Sequence, residues 1–403
     1  MFEHVAAYPG DPILGLNEDF QRDPRAEKVN LSIGIYFDGD GKLPLMAAVR
    51  DAERGLLARS GPRSYLPISG NPDYRDGIQQ LVFGADHPAR RGRRIITLQT
   101  LGGSGALKVG ADFLKHNFPK SDVWVSDPTW DNHHMVFERA GFAVHNYPHY
   151  DSETGALRFD DMCAAIRSLP TRSIVLLHAC CHNPTGVDLT SAQWETLVPI
   201  LLERDLIAFV DLAYQGFGDG LDEDAIAVRA LAAAGVCCVV ANSLSKNFSL
   251  YGERCGGLSI TCGSQDEARR VLTQLTATVR SIYSSPPTHG AKVVARVLGS
   301  PTLRAQWEVE LASMRERILM MRKAIYSALK GHAAERDLSR YLTQRGMFTY
   351  TGLSTEQVDQ LRNEHGVYLL RSGRMCIAGL NDANLPAVAR ALTSVLSVRP
   401  ATL

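Results

Sequence analysis

Short apolar runs alternate with longer amphipathic segments between about residue 45 and residue 310, and this alternation constrains the fold most strongly. Apolar runs bounded by turn residues are typical of buried strands, whereas apolar positions repeating every three or four residues are typical of helices. Strand and helix in repeated alternation predict an α/β fold, with a mostly parallel sheet covered by helices on both faces. The predicted strands are 93–99, 122–127, 142–150, 172–180, 206–214, 236–243 and 256–262, and the main helices between them are 105–117, 132–141 and 191–205.

The C-terminal third has a different pattern. Residues 303–331 predict one long amphipathic helix, and short apolar runs at 346–352, 367–370 and 374–379 predict strands among further helices. This pattern indicates a smaller α+β domain. The segment 28–38 is expected to join that domain from the N-terminal side.

Composition excludes several classes of function. The chain is 45% hydrophobic and 21% charged, with 43 basic and 43 acidic side chains and no basic block typical of nucleic-acid binding. No apolar run reaches the roughly 18 residues of a membrane span, and the first residues lack the pattern of a signal peptide. We therefore expect a cytoplasmic protein with no nucleic-acid or membrane partner.

The eight cysteines include two adjacent pairs and lie mostly in apolar runs, which is typical of free thiols in a reducing compartment. The sequence "CCH" at 180–182 could suggest zinc. However, no second pair of ligands follows with the usual spacing, so no metal site is predicted.

Polar and glycine-rich segments follow most of the predicted strands. In an open parallel sheet, ligands bind beyond the carboxyl ends of the strands. The segments that follow successive strands are "TLGGSGAL", "PTWDNHH", "CHNPTG", "DLAYQGF" and "SLSK". Because these ends meet at one edge, we expect their side chains to converge on one site.

Each of these features also has an ordinary structural explanation. Lys246 could lie in a surface loop, although a lysine that is buried is usually paired or chemically used. The segment "GGSGAL" could be a tight turn rather than a cradle for an anion at a helix start, and it has neither the dinucleotide-binding nor the Walker pattern. Asp211 could cap a helix or form a salt bridge, or it could hold a pyridine nitrogen in its protonated form.

The motifs "CHNPTG", "DLAYQGF" and "SLSKNFSLYGERCGG", in this order, resemble those of the fold-type I pyridoxal-phosphate aminotransferases, in the aspartate/aromatic subfamily. The segments "LGGSGALKVGADFLK" and "VWVSDPTW" are most similar to the bacterial tyrosine aminotransferases. The resemblance implies a large cofactor-binding domain, 45–311, with a mixed, mostly parallel sheet of seven strands. It also implies an N-terminal arm, 1–11, and a small domain built from 12–44 and 312–403.

The resemblance also implies roles for individual residues. Lys246 would hold pyridoxal 5'-phosphate and later carry a proton, Asp211 would pair with the ring nitrogen, and Tyr214 would contact the ring oxygen. The other residues expected to bind the cofactor are Gly103, Ser104, Trp130, Asn183, Ser243 and Arg254, with Tyr65 from a second subunit and His133 behind Asp211. The residues expected to bind the substrate are Gly34, Ile35, Trp130, Asn183 and Arg374, with Arg280 from the neighbouring subunit of a homodimer.

The implied reaction is a ping-pong transfer of an amino group to a 2-oxo acid such as 2-oxoglutarate. Apolar residues at Ile35, Phe37 and Leu43, and small residues at Ser104 and Ser285 where aspartate-preferring relatives carry Thr and Asn, favour tyrosine and phenylalanine as donors, with aspartate and glutamate retained. The alternatives are an aspartate aminotransferase, a decarboxylase or lyase of the same fold, and a non-catalytic cofactor sensor.

Overall fold

The computed structural model describes residues 1–8, 10–58, 61–62, 64–331 and 337–397. The helices are α1 (Pro12–Arg22), α2 (Ala47–Leu57), α3 (Pro72–Phe83), α4 (Pro88–Arg91), α5 (Gly102–Asn117), α6 (Asn132–Glu138), α7 (Phe159–Ser168), α8 (Ser191–Glu203), α9 (Ile226–Ala234), α10 (Gln265–Ile282), α11 (His289–Gly299), α12 (Pro301–Leu329), α13 (Arg340–Thr343), α14 (Thr355–His365) and α15 (Leu385–Ser397). The strands are β1 (Val29–Asn30), β2 (Ile95–Leu101), β3 (Val123–Asp127), β4 (Val144–Pro148), β5 (Ile174–His178), β6 (Ile207–Leu212), β7 (Cys238–Ser243), β8 (Cys255–Thr261), β9 (Phe348–Tyr350), β10 (Val367–Tyr368) and β11 (Arg374–Cys376). Within these ranges, no helix is both long and apolar enough to cross a membrane.

The central sheet has seven strands in the order β2-β8-β7-β6-β5-β3-β4. Strand β8 runs antiparallel to both of its neighbours, β2 and β7, and the other pairings are parallel. The predicted α/β fold with a mixed, mostly parallel sheet of seven strands is therefore confirmed. For the seven strands of this sheet, the predicted ends differ from the observed ends by at most two residues.

Both faces of the sheet are buried. In β6, Ile207 and Phe209 belong to one apolar cluster, and Ala208 and Val210 belong to another. Successive side chains of a strand point to opposite faces, so the two clusters lie on the two sides of the sheet. Burial on both faces explains why the central strands are almost continuously apolar rather than alternating.

Two small sheets lie outside the central one. Strand β1 pairs in parallel with β10, where Val29 faces Val367, and β9 pairs antiparallel with β11. Residues 29 and 30 of the segment 28–38 thus pair with a C-terminal strand, and the assignment of the whole segment to the small domain stays a prediction. The domain limits at 44/45 and 311/312 stay predictions, and the second of them falls inside the continuous helix α12.

Helix α12 fixes the turn that follows Lys246. Trp307 is fully buried in this helix, and its Nε1 donates a hydrogen bond of 2.7 Å to the carbonyl oxygen of Asn247. Its ring also stacks on Phe248, with 4.5 Å between the ring centroids. One tryptophan thus holds both residues that come directly after the lysine.

We predict that Trp307→Phe lowers the free energy of unfolding by about 1–3 kcal/mol, because the carbonyl of Asn247 then stays buried without its donor. Urea denaturation measures this loss. Val309→Ala serves as the matched control, since Val309 lies in the same helix and is 67% exposed. The control is expected to change the free energy of unfolding by less than about 0.5 kcal/mol. Equal losses in the two variants would contradict the role given to Trp307.

Candidate active site

A cavity with an empty volume of about 800 Å³ lies at the carboxyl edge of the central sheet. Most of its polar residues follow the ends of β2, β3, β5, β6 and β7, as the parallel direction of these strands requires, and Arg374 comes from β11. The cavity is lined by Ile13, Gly34, Gly103, Ser104, Leu107, Trp130, Asn183, Asp211, Ala213, Tyr214, Ser243, Ser245, Lys246, Tyr251, Arg254, Phe348 and Arg374. The predicted convergence of the strand ends on one site is therefore observed.

Lys246 lies in the turn after β7, and its Nζ is 5.0 Å from the centroid of the Tyr214 ring. Removal from water, together with the charges of Arg254 and Arg374, lowers the pKa of the Lys246 amine to about 8, although the carboxylate of Asp211 acts in the opposite direction. The neutral amine is the nucleophilic form of lysine. The protein therefore makes this form available close to neutral pH.

Asp211 lies at the end of β6 and is buried. His133, the second residue of α6, places its Nε2 3.1 Å from Oδ2 of Asp211, and its Nδ1 lies 2.8 Å from the hydroxyl of Thr129. Burial opposes ionisation, but the hydrogen bond from His133, together with the charges of His133, His178 and Lys246, holds the pKa of Asp211 below its ordinary value. The floor of the cavity therefore carries a negative charge, and Asp211 does not cap a helix.

An uncapped helix start forms another wall of the cavity. Helix α5 begins at Gly102, and the preceding Leu101 has no polar side chain that could cap it. The Arg254 guanidinium lies 3.4 Å from the hydroxyl of Ser245 and donates to the carbonyl of Tyr251 at 2.8 Å. Free N–H groups at a helix start together with a guanidinium and hydroxyls form a site suited to a phosphate.

Two glycines allow this close arrangement. Gly102 has a φ of +67°, and a Cβ placed there would lie only 2.6 Å from Nη2 of Arg254. A Cβ on Gly256, in β8, would lie 2.4 Å from the carbonyl carbon of Gly102. The glycines of "GGSG" and "CGG" therefore allow both the tight turn and the close approach of the backbone to a bound anion.

Arg374 lies in β11 and is 2% exposed. Its Nη1 donates to Oδ1 of Asn183 at 3.0 Å, its Nη2 donates to the carbonyl of Ser32 at 2.7 Å, and its guanidinium carbon lies 4.3 Å from the centre of the Phe348 ring. Its Nε is buried without a partner, and within the described ranges no carboxylate forms an ion pair with it. Burial lowers the pKa of Arg374. A buried guanidinium with a free N–H group and no ionic partner favours the binding of an anion.

Two predicted site residues lie away from the cavity of their own chain. Tyr65 is 93% exposed, and the exposed Arg280 donates a hydrogen bond to the hydroxyl of Ser284. Their expected role is in the site of a second subunit, so that role stays a prediction.

The predicted apolar wall from the N-terminal segment is only partly observed. Gly34 lines the cavity, whereas Ile35 and Phe37 are half-buried nearby and are not part of the cavity wall in the described structure. Leu43 is 48% exposed, and Ser285 is half-buried outside the wall.

Sequence reasoning missed six residues of the wall. Ser245 and Tyr251 lie within the same motif as Lys246, so their positions alone could have suggested them. Phe348 falls in a predicted strand, but the sequence does not tell which face of that strand meets the cavity. The other missed residues are Ile13, Leu107 and Ala213.

Comparison with known proteins agrees with this geometry. The family described as "Aminotransferase class I and II" matches residues 26–392. The chain is 57% identical to the aromatic-amino-acid aminotransferase of Escherichia coli (strain K12), over 98% of this chain and 100% of that protein.

Two solved structures are also similar to this chain. The crystal structure of an aromatic amino acid aminotransferase from Burkholderia cenocepacia is 65% identical, with a TM-score of 0.95 over 98% of this chain and 99% of that one. The aromatic-amino-acid aminotransferase from Burkholderia pseudomallei, whose structure is described as covalently bound to pyridoxal phosphate, is 52% identical, with a TM-score of 0.96 over the same shares. The fold is that of a fold-type I transferase. The chain belongs to the class I and II aminotransferases.

We predict that Lys246 titrates near pH 8 in the cofactor-free protein, against an ordinary value of 10.5. The unfolded chain then binds more protons than the folded protein between these values, so this group makes stability increase as the pH rises from about 8 to 10.5. NMR titration of ¹³C-labelled lysine side chains measures the pKa. Lys246→Arg identifies the resonance by removing it.

Asp211→Asn provides the matched comparison, because the carboxylate raises the pKa of Lys246. The variant is expected to titrate at a lower pH than the unchanged protein. A Lys246 pKa of 10 or more, or an upward shift in Asp211→Asn, would contradict this description of the site.

Proposed function

We propose that the protein is a pyridoxal-phosphate-dependent aminotransferase that moves the amino group of tyrosine or phenylalanine, and also of aspartate or glutamate, to a 2-oxo acid. One observation carries the proposal. A lysine with a pKa near 8 shares a single cavity with an ionised carboxylate, a phosphate-type cradle and a buried, unpaired arginine. Few chemistries other than cofactor-assisted reactions of amino acids need all four groups.

The groups of the cavity fit the proposed cofactor. The start of α5, with Ser243, Ser245 and Arg254, supplies N–H, hydroxyl and guanidinium donors for a phosphate. Asp211 supplies the anion that keeps a pyridine nitrogen protonated, and Trp130 lines the same cavity with an apolar ring. These donors match the phosphate, the ring nitrogen and the ring face of pyridoxal phosphate.

The reaction assigns distinct tasks to the residues of this chain. When bound, the cofactor supplies an electron sink that stabilises negative charge at the substrate α-carbon. Lys246 would attach the cofactor at rest and, once free, would take the proton from the α-carbon with its neutral amine. Asp211, oriented by His133, would hold the negative charge opposite the ring nitrogen. Tyr214 would keep its proton as a hydrogen-bond donor, because burial raises its pKa well above the ordinary value.

Arg374 would bind the substrate α-carboxylate. Its buried and unpartnered Nε and its forked guanidinium suit the two oxygens of a carboxylate. Asn183 and the carbonyl of Ser32 hold the guanidinium in place before the substrate arrives. Such preorganisation lowers the entropy cost of orienting the α-carbon toward Lys246.

The preference for aromatic donors rests on the walls of the cavity and on the relatives. Ile13, Leu107, Trp130 and Phe348 line it with apolar surface, and burial of a Phe-sized side chain contributes roughly 1.5–3 kcal/mol. The similar proteins from Escherichia coli and Burkholderia are described as aromatic-amino-acid aminotransferases. An aspartate aminotransferase is the second candidate.

A homodimer with shared sites completes the proposal. Tyr65 is 93% exposed in the single chain, so its side chain is accessible to a second subunit. Placed in the partner's site, Tyr65 would reach the phosphate and Arg280 would pair with the distal carboxylate of aspartate or glutamate. In a symmetric dimer, the same residues of each chain would complete the site of the partner, so two equivalent sites would form.

We predict that the visible absorbance of the cofactor-loaded protein changes on mixing with phenylalanine, tyrosine or aspartate, each without an oxo acid. Single-turnover spectra measure this change, and Lys246→Ala provides the control that cannot attach the cofactor. A change with aspartate alone would assign the protein as an aspartate aminotransferase. No visible absorbance after cofactor is added would overturn the proposed site.

We predict that Arg280→Ala lowers kcat/KM for aspartate about 10- to 100-fold and leaves that for phenylalanine almost unchanged, because only aspartate loses a charged hydrogen bond. Steady-state kinetics with both donors measure the ratio. Arg269→Ala is the matched control, since Arg269 is an exposed arginine of the same helix, α10. Equal losses for both donors would contradict the role given to Arg280.

A further inference from the structure

Two adjacent thiols of the "CCH" segment point to one place. Cys181 has a φ of +51°, in the left-handed region that non-glycine residues rarely adopt. The Sγ atoms of Cys180 and Cys181 and a carboxylate oxygen of Asp224 all lie within 4.8 Å of one another. The other adjacent pair behaves differently, since Cys237 is exposed while Cys238 is buried in β7, as the alternation of a strand requires.

Two of these three groups border a second cavity. Cys180 and Asp224 line it together with Asp188, and its empty volume is about 1440 Å³. It shares no lining residue with the active-site cavity within the described ranges. Water and small ions therefore have a route to the Cys180 thiol that does not pass through the active site.

The two carboxylates in this corner are held by backbone N–H groups, and Arg340 and Arg345 also line the cavity. Asp188 accepts hydrogen bonds from the backbone N–H groups of Cys181 and His182 at 2.6 and 2.7 Å, and Asp224 accepts from the N–H groups of Gly216, Gly218 and Asp219. Neither carboxylate forms an ion pair in the described part of the chain.

We propose that Cys180, Cys181 and Asp224 form a binding site for a soft divalent cation such as Zn²⁺ or Cd²⁺, with water from the second cavity as the remaining ligand. Thiolates and carboxylates are ligands of zinc in four-coordinate sites. Two sulfurs at about 2.3 Å from one ion lie roughly 3.8 Å apart, so the thiols need to move only slightly. Each thiol releases its proton to solvent when it binds the ion.

Occupation of this site would inhibit the enzyme. The thiol of Cys181 donates a weak hydrogen bond to the carbonyl of Tyr214, with 4.0 Å between sulfur and oxygen, and a metal-bound thiolate has no proton to donate. Asn183, two residues further on, holds Arg374. A cation bound behind this loop would therefore disturb two active-site residues without entering the active site.

The test uses the cofactor-loaded protein and Cd²⁺. Equilibrium dialysis measures the number of ions bound, ultraviolet absorbance reports cadmium–thiolate bonds, and the rate with phenylalanine reports inhibition. We expect one Cd²⁺ per chain at this site, with inhibition that a chelator reverses. Cys180→Ser is expected to weaken binding more than about tenfold. Loss of a residue that only orients a metal ligand already weakens binding about 10- to 100-fold, and Cys180 is itself a ligand in this proposal.

Cys237→Ser is the matched control, because it changes one member of the other adjacent pair and is expected to bind Cd²⁺ as the unchanged protein does. Cys181→Ala provides a second ligand variant if Cys180→Ser does not fold. The proposal is overturned if the unchanged protein binds no Cd²⁺. It is also overturned if the folded ligand variant keeps full affinity, which would place the ion elsewhere, for example at His133 and His178. The binding and absorbance measurements do not depend on the donor preference of the enzyme.

Discussion

The parallel direction of the strands is the constraint on which the rest of this structure depends. Strands β2, β3, β5, β6 and β7 all end at one edge of the sheet, so the residues that follow them meet there although they are far apart in the chain. The reversed strand β8 strengthens this edge, because it starts where the others end and brings Arg254 against the beginning of α5. Helices on both faces keep water from the floor of the site.

The site gathers charges that are costly to bury. Lys246, Arg374 and Asp211 are all shielded from water. Burial lowers the pKa of the lysine and of the arginine, whereas the His133 hydrogen bond and nearby positive charges hold the pKa of Asp211 below its ordinary value. A phosphate and a carboxylate from ligands would supply the missing negative charge. The buried charges destabilise the protein while the site is empty. Binding of cofactor and substrate offsets this cost, since ligands that bind only the folded state stabilise it.

The substrate end of the site is built from remote segments. Arg374 comes from β11 and Phe348 from β9, and a Cβ on Gly34 would lie 2.9 Å from the Phe348 ring. The fully buried Arg322, in α12, supports this end, because it donates hydrogen bonds to the carbonyls of Gly346 and Phe348 and to the Thr349 hydroxyl. The long helix therefore stabilises both the strand under Arg374 and the turn after Lys246.

The sequence by itself determined the alternation of strands and helices and, through the resemblance of three motifs, the family and its lysine, because these features depend on local periodicity and on residues close together in the chain. Tertiary structure alone decided which face of β9 meets the cavity, and it showed that Ile35 lies off the wall of the described chain. It also brought Asp224 to the thiols of Cys180 and Cys181, where spacing along the chain had given no reason to expect a metal ligand. The physical reason is the same in each case. Side-chain direction and contacts between distant segments follow from the packing of the whole chain, which no local pattern records.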